Sequence, residues 1–228
     1  MEHPLDRPVW SALTGPQAGV AVAAGAAVRY RPEVGLFAAT ANGEAQATAD
    51  LVALVRAHGE TALVEPRPVT APPGLTVVSE AICLQMVAEA SAIHAGAAAR
   101  VDIVELSPAD WPEMVALAQA MRPGPFFART PSLGRFLGVR IDGRLAAMAG
   151  ERMRVPGFTE VSGVCTLAAF RGRGLAAELI RAAMAGMRAR GETPMLHTYA
   201  SNTGANRLYE ALGFRVRREL VMTMLSAS

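Results

Sequence analysis

Apolar and polar positions alternate most clearly in the second half of the chain. Residues 137–141 and 145–153 are apolar runs separated by Asp142-Gly143, a pair that tolerates positive φ, so they predict a β-hairpin. Residues 160–166 follow as a central strand, residues 175–187 repeat apolar positions at helical spacing, and residues 195–200 predict another strand. After Asn202, the positions Ala205, Leu208, Tyr209 and Leu212 share one helical face, and Gly213 ends that helix. Upstream, residues 101–106 predict a strand, and Ser107 with Pro108 supplies an N-cap and a first-turn proline for a helix running to Ala120. Residues 122–135 hold Pro123, Gly124, Pro125 and Pro131 around Phe126 and Phe127, and predict a loop whose Phe pair is either a buried anchor or a lid.

The first half has weaker boundaries. Residues 26–30, 36–39 and 62–65 are strand-like, and residues 47–57 place Leu51, Leu54 and Val55 on one face of a helix that His58-Gly59 ends. Four prolines and Gly74 stiffen residues 66–74, and the Ala-rich residues 79–98 predict a helix and a loop. The resulting expectation is an N-terminal α/β region over residues 1–100 and a second unit over residues 101–228.

Composition narrows the class. A chain of 228 residues with 51% hydrophobic content is long enough to bury a core as one large or two small domains. All 22 basic residues are arginine, which fits a GC-rich bacterial genome, and a net charge of +2 is too small to argue for a nucleic-acid partner. Six Arg face nine acids in residues 1–100, against sixteen Arg and eleven acids in the remainder, so a polyanion is drawn to the second half. Cys83 and Cys165 have no paired spacing and the four His are scattered, so neither a disulfide nor a metal is expected. The first residues lack the basic-then-apolar order of a signal peptide. The longest apolar run, residues 18–28, is well under the roughly 20 residues a membrane span needs. The expected location is cytoplasmic, with no membrane partner.

The most informative segment lies between the predicted strand 160–166 and the predicted helix 175–187: Phe170-Arg171-Gly172-Arg173-Gly174-Leu175-Ala176-Ala177. Two glycines admit positive φ and remove side chains that would hold a ligand off the backbone. The first amides of the following helix lack intrahelical partners, and its dipole adds positive potential there, so a phosphate or pyrophosphate is the natural guest. Arg171 and Arg173 add planar donors at the rim. The spacing also matches a dinucleotide fingerprint, but four residues separate strand from loop and the next predicted strand carries no carboxylate.

The loop resembles the acyl-CoA pyrophosphate signature of the GNAT acyltransferase superfamily, Arg/Gln-x-x-Gly-x-Gly/Ala, through Arg171, Gly174 and Ala176. A second superfamily signature is matched in order by Asn202, Ala205, Tyr209, Leu212, Gly213 and Phe214. The resemblance covers residues 101–225 and is nearest to the glycine N-acyltransferase-like branch. It implies an α+β fold with a mixed, mostly antiparallel sheet flanked by helices, beside a smaller N-terminal α/β half that is either unrelated or a degenerate GNAT-like half. It further implies that Val164, Cys165 and Thr166 pair their backbones with the pantetheine arm, that Arg171 to Ala177 hold the diphosphate, and that Asn202 lies near the coenzyme A arm.

The implied activity is transfer of an acyl group, by default acetyl from acetyl-CoA, to an amine without a metal or a covalent enzyme intermediate. Tyr209 is the implied general acid, with Asn202 doubling as a helix N-cap. The base stays open between Glu160, His197 and a water chain. A covalent route through Cys165 finds no His and acid beside it in the sequence. The acceptor is expected to be a small-molecule amine or a peptide N-terminus, and a non-catalytic coenzyme A-sensing domain is the alternative.

Overall fold

The computed structural model describes residues 3–90 and 101–228. Their strands form one sheet: β1 (Ala21–Ala24), β2 (Ala27–Tyr30), β3 (Phe37–Thr40), β4 (Thr61–Glu65), β5 (Leu75–Ala88), β6 (Val104–Glu105), β7 (Phe136–Ile141), β8 (Arg144–Val155), β9 (Phe158–Thr166), β10 (Thr193–Tyr199) and β11 (Phe214–Ala227). The helices α1 (Pro8–Leu13), α2 (Ala45–His58), α3 (Trp111–Met121), α4 (Leu175–Ala189) and α5 (Thr203–Ala211) pack against it. Pairing is antiparallel except at β3–β4 and β9–β10, and each parallel pair is bridged by a crossover helix, α2 and α4 respectively.

The strand order, β1-β2-β3-β4-β11-β5-β10-β9-β8-β7-β6, runs almost alike from either end, with β5 and β11 crossed at the centre. β5 lies between β10 and β11, and β11 in turn pairs with β4. Each half of the sheet therefore completes its hydrogen bonding with the last strand of the other. This mixed, mostly antiparallel α+β architecture is the one the resemblance implies.

Helix α4 buries Leu175, Leu179, Ile180, Ala183, Met184 and Met187 against Leu137, Val139, Ala147, Val161 and Leu196. Each large apolar side chain so buried contributes about 1.5–3 kcal/mol. On the opposite face, Val9, Ala12 and Leu13 of α1 cover Tyr30, Phe37, Met153, Met195 and Met222. The alternation of β10 makes the two faces explicit, because Met195 joins the α1 cluster while Leu196 joins the α4 cluster.

Two readings from the sequence are corrected. Residues 79–88, expected to begin a helix, belong to β5, because a strand that pairs with β10 on one edge and β11 on the other satisfies its backbone better than local Ala propensity can. Residues 91–98 of that reading lie outside the described residues. The expected strand over residues 101–106 is reduced to the two residues of β6, and its helix starts with a short turn, Pro108–Asp110, capped by Ser107 and Asp110. The hairpin forms as expected, with Asp142 at φ 52° and Gly143 at φ 77°. Hydrophobic period does not mark β11, whose first third is interrupted by arginines at 215, 217 and 218.

Candidate active site

β9 and β10 pair only at Phe158↔Thr193, Thr159↔Pro194 and Glu160↔Met195. Beyond that point β10 follows β5 and β9 stays with β8, so the two strands part. Gly163, at φ 63°, sits in a stretch where the β8–β9 register slips between Met148 and Gly150, a bulge that bends β9. The edge of β9 from Val161 to Val164 then faces the gap without a ladder partner among the described residues. A cavity occupies the gap, bounded by Val161, Ser162, Gly163 and Val164 on one side and by His197, Thr198 and Tyr199 on the other.

The glycine loop lies between β9 and α4. Gly172 and Gly174 adopt φ 76° and 77°, and Gly174 is the N-cap of α4. The first helical bond runs from the Glu178 N–H to the Gly174 carbonyl at 3.2 Å, which leaves the amides of Leu175, Ala176 and Ala177 without an intrahelical acceptor. A Cβ at either glycine would meet nothing within 4 Å, so the loop is open on its outer side. Arg171 Nε donates to the Thr166 carbonyl at 3.4 Å, and the Arg173 guanidinium lies 5.1 Å from the Phe170 ring centre. Neither arginine has a carboxylate partner among the described residues. Free amides, a helix dipole and two guanidinium groups without carboxylate partners fit a diphosphate.

The far wall of the cavity is α5. Asn202 accepts from the Ala205 N–H at 3.4 Å as N-cap and also lines the cavity. Thr198 Oγ1 donates to Asn206 Oδ1 at 2.9 Å, and Asn206 Nδ2 donates to the carbonyls of Tyr199 at 3.3 Å and Ala200 at 3.2 Å. These bonds fix α5 to the end of β10 and bring Tyr209 to the cavity wall. Its ring meets Phe214 edge-on at 6.2 Å. Burial, and secondarily the Glu160 charge, pushes the phenol up to about 12, so Tyr209 keeps its proton throughout the neutral range.

Glu160 is wholly buried at the point where β9 and β10 separate. Its carboxylate accepts from Arg152 Nε at 2.8 Å and Nη2 at 2.9 Å, from the Met153 N–H at 3.2 Å, and faces His197 Nδ1 at 2.8 Å. Burial alone would raise the carboxyl, but the Arg152 charge, its two hydrogen bonds and His197 overcome this and hold it well below the usual range. So acidic a group takes no proton from an ammonium at neutral pH. The carboxylate is thus held between Arg152, the Met153 amide and His197.

His197 is held from both sides. Gln85 Nε2 donates to the Leu5 carbonyl at 2.9 Å and its Oε1 accepts from Arg217 Nη1 at 2.9 Å, which fixes the orientation of the amide. The second Nε2 proton of Gln85 is directed at His197 Nε2, 3.1 Å away. With Nδ1 paired to Glu160, both ring nitrogens of His197 have a partner within the protein. His197 thus borders the cavity without presenting a free basic nitrogen to it.

Of the three β9 residues expected along the pantetheine arm, Val164 lines the cavity, while Cys165 and Thr166 pair with β8 nearer the glycine loop. Burial pushes the Cys165 thiol up to about 12, which removes the thiolate a covalent route would need. Ser162, Gly163, Arg152 and Gln85 are site residues the sequence did not single out. A glycine inside a strand pattern is a bulge signal and marks Gly163, whereas Gln85 is recruited by a strand crossing that no local pattern contains. Among the described residues, no group of His, Cys, Asp or Glu could hold a metal ion, and no helix is long and apolar enough to cross a membrane.

A mostly antiparallel sheet, parted at a parallel pair beside a helix start with open amides, defines an acyltransferase fold. The family model described as FR47-like protein matches residues 136–222. No curated protein matches the chain. The crystal structure of a GNAT-family protein from Novosphingobium aromaticivorans DSM 12444 is 53% identical, covers 100% of both chains and superposes with a TM-score of 0.92. A GCN5-related N-acetyltransferase from Kribbella flavida is 23% identical over 91% of this chain and 88% of its own, with a TM-score of 0.61. A GNAT-family acetyltransferase from Colwellia psychrerythraea is 13% identical over 98% and 97%, with a TM-score of 0.55, so these last two share the fold. The chain belongs to the GNAT family of acetyltransferases, whose acyl donor is acetyl-CoA. None of the three is named from the glycine N-acyltransferase branch.

Proposed function

We propose that this protein transfers an acetyl group from acetyl-CoA to a primary amine by direct attack, the acceptor being a small molecule or a peptide N-terminus. The observation that carries this reading is the parted β9 edge, followed in the same strand–loop–helix unit by the open amides at the start of α4. Bound acetyl-CoA supplies the thioester. Arg171 to Ala177 hold its diphosphate through backbone amides and guanidinium groups, and the free edge from Val161 to Val164 offers backbone groups to the pantetheine arm as an added strand would.

Backbone amides on that edge stabilise the oxygen as negative charge gathers on it. Tyr209 donates a hydrogen bond to the departing sulfur. Its phenol, near 12, is a weaker acid than an ordinary thiol, so this bond strengthens as charge develops rather than ionising the phenol beforehand. The ammonium loses one proton to cavity water before attack; after attack the nitrogen loses a second, which is relayed to the departing thiolate as the carbon–sulfur bond breaks, so that one proton is released overall. Glu160 and Gln85 orient His197 as a wall of this path. A protonated tyrosine at the cavity wall supports catalysis over coenzyme A sensing alone.

Thiol release from acetyl-CoA in the presence of amines tests the reading, and absence of release with every amine overturns it. Tyr209→Phe is expected to lower kcat roughly a hundredfold, within the range of general-acid contributions, while acetyl-CoA affinity stays near normal. An unchanged kcat removes the phenol from the reaction. His197→Gln keeps a hydrogen-bonding side chain and is expected to lower kcat less than about tenfold, well short of the loss of a general base. A larger fall, with the acid limb of the pH–rate profile abolished, makes His197 the base.

A further inference from the structure

Arg122 closes α3 in a conformation that arginine rarely takes. As the C-cap it lies at φ 51° and ψ 58°, in the left-handed region, with its N–H donating to the Ala118 carbonyl at 2.7 Å. Glycine closes a helix this way without steric cost, whereas a side chain there crowds its own backbone. Among the described residues Asp142, in the hairpin turn, is the one other non-glycine with positive φ. Pro123, Gly124 and Pro125 follow Arg122, and the two prolines stiffen the chain beyond it. Backbone strain of this kind persists where the surrounding structure imposes it, and it gathers where a side chain is required at one place.

Arg122 stands where two cavities meet. It lines the cavity between β9 and β10, whose wall residues 1–100 complete with Phe37, Val64 and Cys83, and it lines an adjoining cavity that extends over Leu36, Ser79 and Met224. The charges bordering these spaces are one-sided. Among the described residues, neither cavity is lined by Asp or Glu. Arg152 lines the first, but its charge is met by Glu160 at 2.8 Å. Arg122 is exposed and forms no ion pair among the described residues. The positive charge at the junction is therefore unanswered there. A second ammonium group on an acceptor is repelled by it. An anionic group pairs with it, because a guanidinium presents the planar fork of donors that carboxylate and phosphate oxygens both match.

Resting on the acetyltransferase reading, we infer that the acceptor amine carries an anionic group, and that Arg122 selects it by pairing with that group while the amine faces the parting of β9 and β10. The coenzyme is the competing owner of this charge, because Arg171 Nη2 of the glycine loop lies 3.7 Å from Met121 Sδ, one residue before Arg122. The glycine loop, however, offers a diphosphate the open amides of α4 and two arginines of its own. Arg122 is the one charged residue lining the second cavity among the described residues.

The test is thiol release by the full chain with acetyl-CoA and acceptors matched in size: glycine, β-alanine and γ-aminobutyrate, each against its carboxamide. Aminoethylphosphonate beside β-alanine separates a phosphoryl group from a carboxylate, and putrescine is the cationic control. At least one acid is expected to exceed its amide about tenfold in kcat/KM, the size of one charge-assisted hydrogen bond at a site open to water. Arg122→Gly removes the guanidinium and relieves the backbone, so its Tm is expected to equal or exceed that of the wild type. It is expected to erase the difference between acid and amide by raising the KM for the acid, with kcat for the amide and coenzyme A affinity by calorimetry unchanged. Arg122→Glu is expected to turn the preference toward putrescine. Equal rates for anionic and amide acceptors in the wild type, or a preference for putrescine, overturn the inference and leave the acetyltransferase reading intact. A preference for the anion that survives Arg122→Gly also overturns it. So does a loss of coenzyme A affinity in that variant, because the arginine then serves the coenzyme. No release with any amine overturns the reading on which the inference rests.

Discussion

Gly174→Glu is expected to abolish coenzyme A binding. Gly174 sits at φ 77° as the N-cap of α4, and a Cβ there would meet nothing within 4 Å, so the added side chain has room. Its effect on the ligand is therefore electrostatic. The new carboxylate would stand where the unpaired amides of α4 and the rim arginines concentrate positive potential, and it would face the diphosphate directly. Two like charges about 4 Å apart at an effective dielectric of about 20 repel by ~4 kcal/mol, close to a thousandfold in Kd. Gly174→Ala separates backbone strain from charge. A left-handed alanine costs roughly 1–2 kcal/mol of stability, and it should retain most of the coenzyme A affinity. Isothermal titration of both variants decides the matter: normal affinity in Gly174→Glu would show that the loop holds no diphosphate.

Glu160→Gln is expected to destabilise the fold by about 3–5 kcal/mol, because it leaves the Arg152 guanidinium buried without its counter-charge. For a chain of this size that corresponds to a fall in Tm of roughly 6–20 °C. The double variant Glu160→Gln with Arg152→Met should recover most of the loss, since it removes the stranded charge as well. A single variant as stable as the wild type would mean that water reaches Arg152. The pH dependence has a definite sign. The folded carboxyl lies below its ordinary value of 4.5, so its contribution is complete above that value and is lost only as pH falls through the depressed one. The stability gap between wild type and Glu160→Gln should stay constant from about pH 6 to 8 and close only in strong acid, which denaturant titrations at several pH values measure.

Much of the second half was legible because its chemistry is local. The Asp142-Gly143 turn, the apolar period of α4 and the Asn202 cap each follow from residues within one or two turns of one another. The glycine loop belongs to the same category, since positive φ and unpaired amides are properties of a short segment whatever it packs against. Glu160 shows where that legibility ends. Its position at the start of β9 was readable, but its pKa depends on Arg152 across a hairpin and His197 across the sheet. His197 is alike, since its ring nitrogens are met by Glu160 and by Gln85, 112 residues away in sequence, contacts that no local window contains.

The sequence by itself determined the elements around the glycine loop, their order, and the positive-φ backbone and open amides of that loop, because these depend on dihedral preference, capping and hydrophobic period within short windows. Only the tertiary structure decided that β5 crosses between β10 and β11, that residues 79–88 are strand rather than helix, and that residues 1–100 wall the cavity. Strand pairing at long separation is governed by which backbone edges are left unsatisfied when the chain collapses, and by which side chains the resulting sheet sets face to face, neither of which a local window contains.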